Sequence, residues 1–220
     1  MRRILIVFAV TVSLGLAGQS QVDFRGLFSV NLEKKLTQSI SVTSMNMGIL
    51  TYDFQELGFG MFDGGIKYRL TKNFSTNFNY RFILRRNLEN FYDNRHALYA
   101  DIDFSKGINR WSFNSTVRFQ SLFYSHILDG YRTPRLYGRA KASIHYRINY
   151  YWQPFAETEV FIPVHNFQRK SPDQIRASIG TAYTVNDHLK VECYVQMQQQ
   201  INRTTNNTCY LLAINTYFRY

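Results

Sequence analysis

The sequence predicts an all-β fold: a closed antiparallel transmembrane β-barrel of about 10–12 strands behind an N-terminal signal peptide. Three observations carry that prediction. Apolar and polar residues alternate along almost every segment after residue 23, and a period of two with one apolar face is the pattern of a half-exposed strand. Short turns alternate with longer polar loops, as they do between the two rims of a bacterial barrel. The closing segment alternates to its last residue, with Tyr210, Leu212, Ile214, Thr216, Phe218 and Tyr220 on one face and Cys209, Leu211, Ala213, Asn215, Tyr217 and Arg219 on the other.

The chain opens with a targeting pattern. Arg2 and Arg3 form a positive start, Ile4 to Leu16 an apolar run, and Gly15-Leu16-Ala17 a small-x-small cleavage site. Residues 1–17 therefore read as a signal peptide and residues 18–220 as the barrel domain. The apolar run is shorter than the ~20 residues a membrane-spanning helix needs. The mean hydropathy of −0.29 would suggest a soluble chain, but barrel strands are polar at every second residue. The formal net charge is +11. Nucleic acid is not an expected partner, because a secreted chain meets no genome and the charges alternate along strands instead of forming one patch.

The elements follow in order. Phe24 to Glu33 sets Gly26, Phe28, Val30 and Leu32 against Arg25, Ser29, Asn31 and Glu33, and Lys34-Lys35 reads as a turn. A weaker strand covers Gln38 to Gly48. Glycines from Gly58 to Gly65 suggest bulges or a close approach from inside, and lead into Ile66, Tyr68 and Leu70. After a turn at Lys72-Asn73, Phe74, Phe78, Tyr80 and Phe82 oppose Asn77, Asn79, Arg81 and Arg85. Arg95 to Ser105 separates Leu98, Ala100, Ile102 and Phe104 from Arg95, Tyr99, Asp101 and Asp103, and Lys106-Gly107 turns the chain. Trp111 to Phe123 and Arg135 to Tyr150 flank a longer loop, Tyr124 to Pro134. Phe155 to Ile162, Ile175 to Tyr183 and Leu189 to Gln198 precede the closing strand. That makes eleven strands; bacterial single-chain barrels have even numbers, so 10 or 12 is expected.

Aromatic residues collect beside the short turns, among them Tyr68, Phe74, Phe104, Trp111, Trp152, Tyr183 and Tyr220, in the manner of an interfacial girdle. The apolar face includes Thr76, Ala140, Ala142 and Thr216. Lipid accepts that mixture, whereas the tight core of a soluble periplasmic ligand-binding barrel would be poorly filled by it. The polar face is then the lumen, and carries Arg95, Asp101, Asp103, Arg118, Arg139, Lys141, His145, Arg147, Glu157, Glu159, Arg176, Lys190 and Glu192. In a narrow barrel these groups are expected to pair and plug the lumen, since unpaired buried charge is too costly. The same basic-biased set suits a narrow conduit for small, anionic solutes.

Cys193 and Cys209 fall on opposite faces of consecutive strands and are expected to be free thiols. Five scattered histidines and two misphased cysteines supply no set of three or four converging ligands, so no metal site and no cofactor is expected. His165 and His188 read as surface residues, and His96 as a rim residue. The one constellation with catalytic chemistry is Ser125-His126 with Asp129, at the outer end of a strand, where a lipid-modifying barrel enzyme acting on lipid A acyl chains would need a serine, an imidazole and an orienting acid.

The order of several short motifs resembles a known family. These are Tyr68-Arg69-Leu70 before a Lys-Asn turn, Asn94-Arg95-His96 opening a strand, Arg118-Phe119-Gln120, Arg135-Leu136 after Pro134, and Phe155 to Glu159 followed by Ile175 to Tyr183. Together they are similar to the outer-membrane barrel family catalogued as domain of unknown function 2490, common in Bacteroidetes-type bacteria. The resemblance implies a barrel and no agreed activity, and carries no catalytic residues. The expected location is the bacterial outer membrane. Expected partners are its lipid and lipopolysaccharide, whose phosphates Arg85, Arg86 and Arg95 would suit, and the barrel-assembly machinery, for which Tyr210, Leu212, Ile214, Phe218 and Tyr220 form the signal. The expected function is a small non-enzymatic barrel, structural or a narrow conduit.

Overall fold

The computed structural model describes residues 23–51, 53–86, 91–124, 134–164, 172–201 and 208–220. The signal-peptide segment and Ser125, His126, Asp129 and His165 lie outside these residues.

Among the described residues, eleven strands form one closed barrel: β1 (Asp23–Lys35), β2 (Ile40–Thr51), β3 (Glu56–Arg69), β4 (Phe74–Arg86), β5 (Tyr92–Ile108), β6 (Trp111–Tyr124), β7 (Arg135–Tyr146), β8 (Trp152–Pro163), β9 (Gln174–Asn186), β10 (Leu189–Gln200) and β11 (Thr208–Arg219). Each strand pairs antiparallel with its neighbour in sequence, and β1 pairs parallel with β11. The parallel seam follows from parity, because an odd number of alternating strands brings the first and last together pointing the same way. The expectation of an even count, and of a wholly antiparallel sheet, is corrected here. Ser29 Oγ donates to Asn215 Oδ1 at 2.8 Å across the seam. The last residue is part of it too, since the Lys35 amide donates to the Tyr220 carbonyl and the Tyr220 amide to that of Glu33.

The strands run from 12 to 17 residues. At ~3.3 Å per residue and a tilt of ~40°, twelve residues rise about 30 Å, enough for the ~25 Å apolar band of such a barrel. The exterior is apolar, with Phe28, Phe78, Ile102, Phe119 and Ile179 exposed, and the outward face of β11 leaves Leu212 54% and Ile214 50% accessible. That is the strand face carrying Tyr210, Phe218 and Tyr220. The rim of short turns carries touching rings: Phe74 on Phe104 at 5.0 Å, Trp111 on Tyr146 at 4.7 Å, Trp152 on Tyr183 at 4.8 Å, and His188 stacked on Tyr220 at 5.7 Å.

Side chains write the short turns. The Thr37 hydroxyl accepts from the amides of Ser39 and Ile40, and Thr71 does the same for Asn73 and Phe74. The two Leu-Thr turns are one device used twice, a side chain standing in for a backbone acceptor. β1 therefore runs through Lys34-Lys35, which had read as the turn. β5 likewise runs past Lys106-Gly107 and turns at Asn109-Arg110, with Asn109 at φ 55. Asn149 Oδ1 accepts from the amides of Tyr151 and Trp152, which ends β7 at Tyr146 although the alternation continues to Tyr150. Cys193, exposed, and Cys209, buried, form no disulfide with each other. No helix among the described residues is long and apolar enough to cross a membrane, which says nothing of strands.

Candidate functional site: the charged lumen

The alternation that turns apolar residues to the outside turns the intervening set to the inside. At mid-height the inward side chains meet as a belt. Arg81 donates to Asp63 Oδ2 through Nε at 2.9 Å and Nη2 at 2.6 Å, and the Tyr99 hydroxyl donates to the same oxygen at 2.5 Å. Arg118 grips Asp101 with two bonds, 2.6 and 2.7 Å. Both guanidiniums lie over the Tyr99 ring, Arg81 at 4.7 Å and Arg118 at 3.7 Å from its centre. Asp101 sits directly across from Arg118 in the register, and Tyr99 is diagonal to both arginines, within reach for long side chains.

The opposite wall repeats the pattern. Arg139 Nε donates to Glu159 Oε1 at 3.1 Å, with a second bond from Nη2, and Arg176 reaches Oε2 of the same carboxylate at 3.4 Å. Both arginines lie over the Phe161 ring, each at 4.5 Å. Lys141 pairs with Glu157 at 3.3 Å and Lys190 with Glu192 at 2.8 Å. Asp103 accepts from Asn77 and Thr116, both at 2.6 Å. His145 contacts Ser143 at 3.2 Å and stacks on Phe155.

The belt is dry. Asp63 is 3% exposed, Asp101 4% and Glu159 8%, values that a water-filled channel of ordinary width would not leave on its lining. Cationic side chains under such conditions need a carboxylate and filled donors, and the aromatic rings add cation–π contact where carboxylates run short. A few polar atoms find no partner among the described residues, among them Asp63 Oδ1, Gln120 Oε1 and Arg176 Nε, positions that suit bound water.

Of the lumen residues expected from the sequence, Asp101, Asp103, Arg118, Arg139, Lys141, His145, Glu157, Glu159, Arg176, Lys190 and Glu192 make the contacts above, and Arg95 lies nearer the long-loop rim. Arg147 is a correction. It falls past the end of β7 and donates to the Asn109 carbonyl at 3.3 Å. There it lines a cavity of about 590 Å³ at the short-turn mouth with Arg110, Trp111 and Tyr150. Tyr150 donates to the Asp187 carboxylate, and that bond pushes its phenol up from the ordinary value.

Asp63, Tyr99 and Phe161 complete the belt but were not singled out from the sequence. Asp63 was hidden in the glycine run, and counting by twos from Phe59 through Met61 would have found it. A second unexpected feature is apolar. Met61, Ile83, Ala97 and Leu122 form a buried cluster on the lumen side near the long-loop rim, and Leu27, Cys209, Leu211 and Ala213 form another beside the seam. Arg86 pairs with Glu56, while Arg85 and Arg95 share the lumen face, which turns those two away from the lipid phosphates expected to hold them. Among the described residues no group of three or more His, Cys, Asp or Glu side chains is arranged to hold a metal ion.

A closed strand-only barrel with an apolar exterior and a charged interior has the fold of a membrane-spanning β-barrel. The chain belongs to the family described as "Protein of unknown function (DUF2490)", whose model matches residues 24–209. Two solved porins have similar structures. The NanC porin aligns at a TM-score of 0.52 with 10% identity, over 90% of this chain and 99% of that one. The KdgM porin aligns at 0.50 with 13% identity, over 89% and 96%. No curated protein matches the sequence.

Proposed function

We propose that this protein is an outer-membrane barrel, long loops outward, that acts as a narrow conduit for small anionic solutes and is shut at mid-height in its resting form. One observation carries the reading: at mid-height the lumen is lined by buried ion pairs in which Glu159 holds two guanidiniums and Asp101 a third. Such a belt blocks hydrated ions while closed, and presents arginines to an anion once the carboxylates let go. The fold shared with the two porins supports the reading at the level of architecture. The surrounding partners on this reading are outer-membrane lipid and lipopolysaccharide, and an assembly machinery that reads the outward face of β11.

The experiment is current across a planar bilayer holding the refolded barrel. The wild type is expected to be quiet at low voltage, with brief anion-selective steps as voltage rises. Glu159→Gln, which weakens the hold on Arg139 and Arg176, is expected to conduct steadily and favour chloride. Silence from both proteins at every voltage would instead support the second reading, a structural barrel, which the burial of Asp63 and Asp101 favours.

A further inference from the structure

The long-loop mouth of the lumen holds groups that the belt does not use. Arg95 and Arg135 lie over the Tyr124 ring at 4.8 and 5.0 Å. Arg85 projects into the same mouth, close enough to Arg95 and Arg25 to be repelled by both. Among the described residues, Asp93 stands 3.9 Å from Arg95, and Asp173 lies near Tyr137. The Arg95 Nε is buried and finds no acceptor among the described residues. A buried guanidinium donor without a partner is costly, and a carboxylate or phosphate oxygen is its strongest complement.

Tyr124 has a second set of neighbours. It packs against the lumen-side cluster of Met61, Ile83, Ala97 and Leu122. A cationic ledge and an apolar wall thus meet at one ring. An inorganic anion would satisfy only the ledge. A sugar acid would set its hydroxyls against the wall, where they lose water and gain no hydrogen bond. A carboxylate carried on an alkyl or aryl body satisfies both, and methionine in the wall lets it adapt to the shape of that body.

We infer that this mouth is a binding site for amphipathic organic anions, the carboxylate held by Arg95 and Arg135 and the apolar body by Tyr124 and Leu122. The inference rests on the conduit reading only in making that anion the cargo, and it names the cargo's chemical class.

The test uses the full barrel in lipid nanodiscs, with uptake by empty nanodiscs subtracted, and three probes: 3-phenylpropionate, propionate and 3-phenylpropan-1-ol. The phenylpropionate is expected to bind roughly tenfold or more tighter than either of the others, since both the charge and the ring contribute. The Arg95→Gln/Arg135→Gln variant, its folding checked by heat-modifiable gel mobility, is expected to bind the acid and the alcohol alike. Equal binding of propionate and phenylpropionate by the wild type would overturn the inference, as would undiminished selectivity for the acid in the variant. Bilayer currents separate this from the conduit reading. Currents without probe selectivity remove the site and leave the conduit; probe selectivity with a silent bilayer removes the conduit and leaves the site.

Discussion

Asp63→Ala tests whether the belt is as dry as its burial indicates. The substitution takes three hydrogen bonds from one carboxylate oxygen, two from Arg81 and one from Tyr99. Arg81, itself 7% exposed, is left charged beside a methyl group. Removing one partner of a buried pair costs about 3–5 kcal/mol, whereas an exposed pair is worth about 0–1 kcal/mol. The two cases are therefore well separated. The assay is urea unfolding of the barrel in lipid vesicles, followed by the fluorescence of Trp111 and Trp152. With a slope of ~1–3 kcal/mol per molar urea, the midpoint should fall by roughly 1–5 M. Arg81→Met added to Asp63→Ala should restore much of the loss, because an apolar pair in a dry site carries no uncompensated charge. A loss below ~1 kcal/mol for Asp63→Ala, with no recovery in the double variant, would mean that water reaches the pair, and the mid-height closure would have to be abandoned.

Three further outcomes are expected. Gly65→Ala places a methyl 2.0 Å from Asn79 Oδ1 and 2.4 Å from the Phe78 carbonyl oxygen; since backbone cannot give way cheaply, it should cost ~1–3 kcal/mol in the same urea assay. Thr71→Val removes the acceptor for the amides of Asn73 and Phe74 and should cost ~0.5–1.5 kcal/mol, with Thr37→Val behaving alike at the matching turn; unchanged stability in both would show the turns to be held by backbone alone. Phe218→Ala combined with Tyr220→Ala should lower the heat-modifiable, membrane-assembled fraction in cells much more than refolding yield in vitro, and an equal fall in both would point to lost packing instead of a lost assembly signal.

The strands were legible because lipid on one side and a polar lumen on the other impose alternation, and Phe74 to Phe82 or Leu189 to Gln198 carry it without interruption. Their ends were less so. The alternation from Arg135 runs on to Tyr150, but Asn149 folds back on two amides and overrides it, which moves Arg147 out of the lumen. Acid–base partners such as Arg118 and Asp101 were placed on the right face, yet the register that sets them opposite each other depends on turn length and was not readable. The rings of Tyr99 and Phe161 carry no charge and gave no reason to be singled out. The apolar patch around Leu122 was hidden by the rule itself, which assigns apolar side chains to lipid, although Ile83 and Leu122 stand in phase with the inward arginines.

The parallel seam has a kinetic consequence. Every other pairing joins sequence neighbours and can form as a local hairpin, but Ser29 and Asn215 meet across 186 positions. By loop-closure entropy, each doubling of length costs about 0.6 kcal/mol, so closing this ring costs roughly 2 kcal/mol more than closing a 20-residue hairpin. Ten pairings can zip all eleven strands in chain order while the eleventh waits, the amides and carbonyls of its two edges open. The seam is thus the expected slow step of folding, and the open edges of β1 and β11 before it closes are where an incoming strand from another chain would compete.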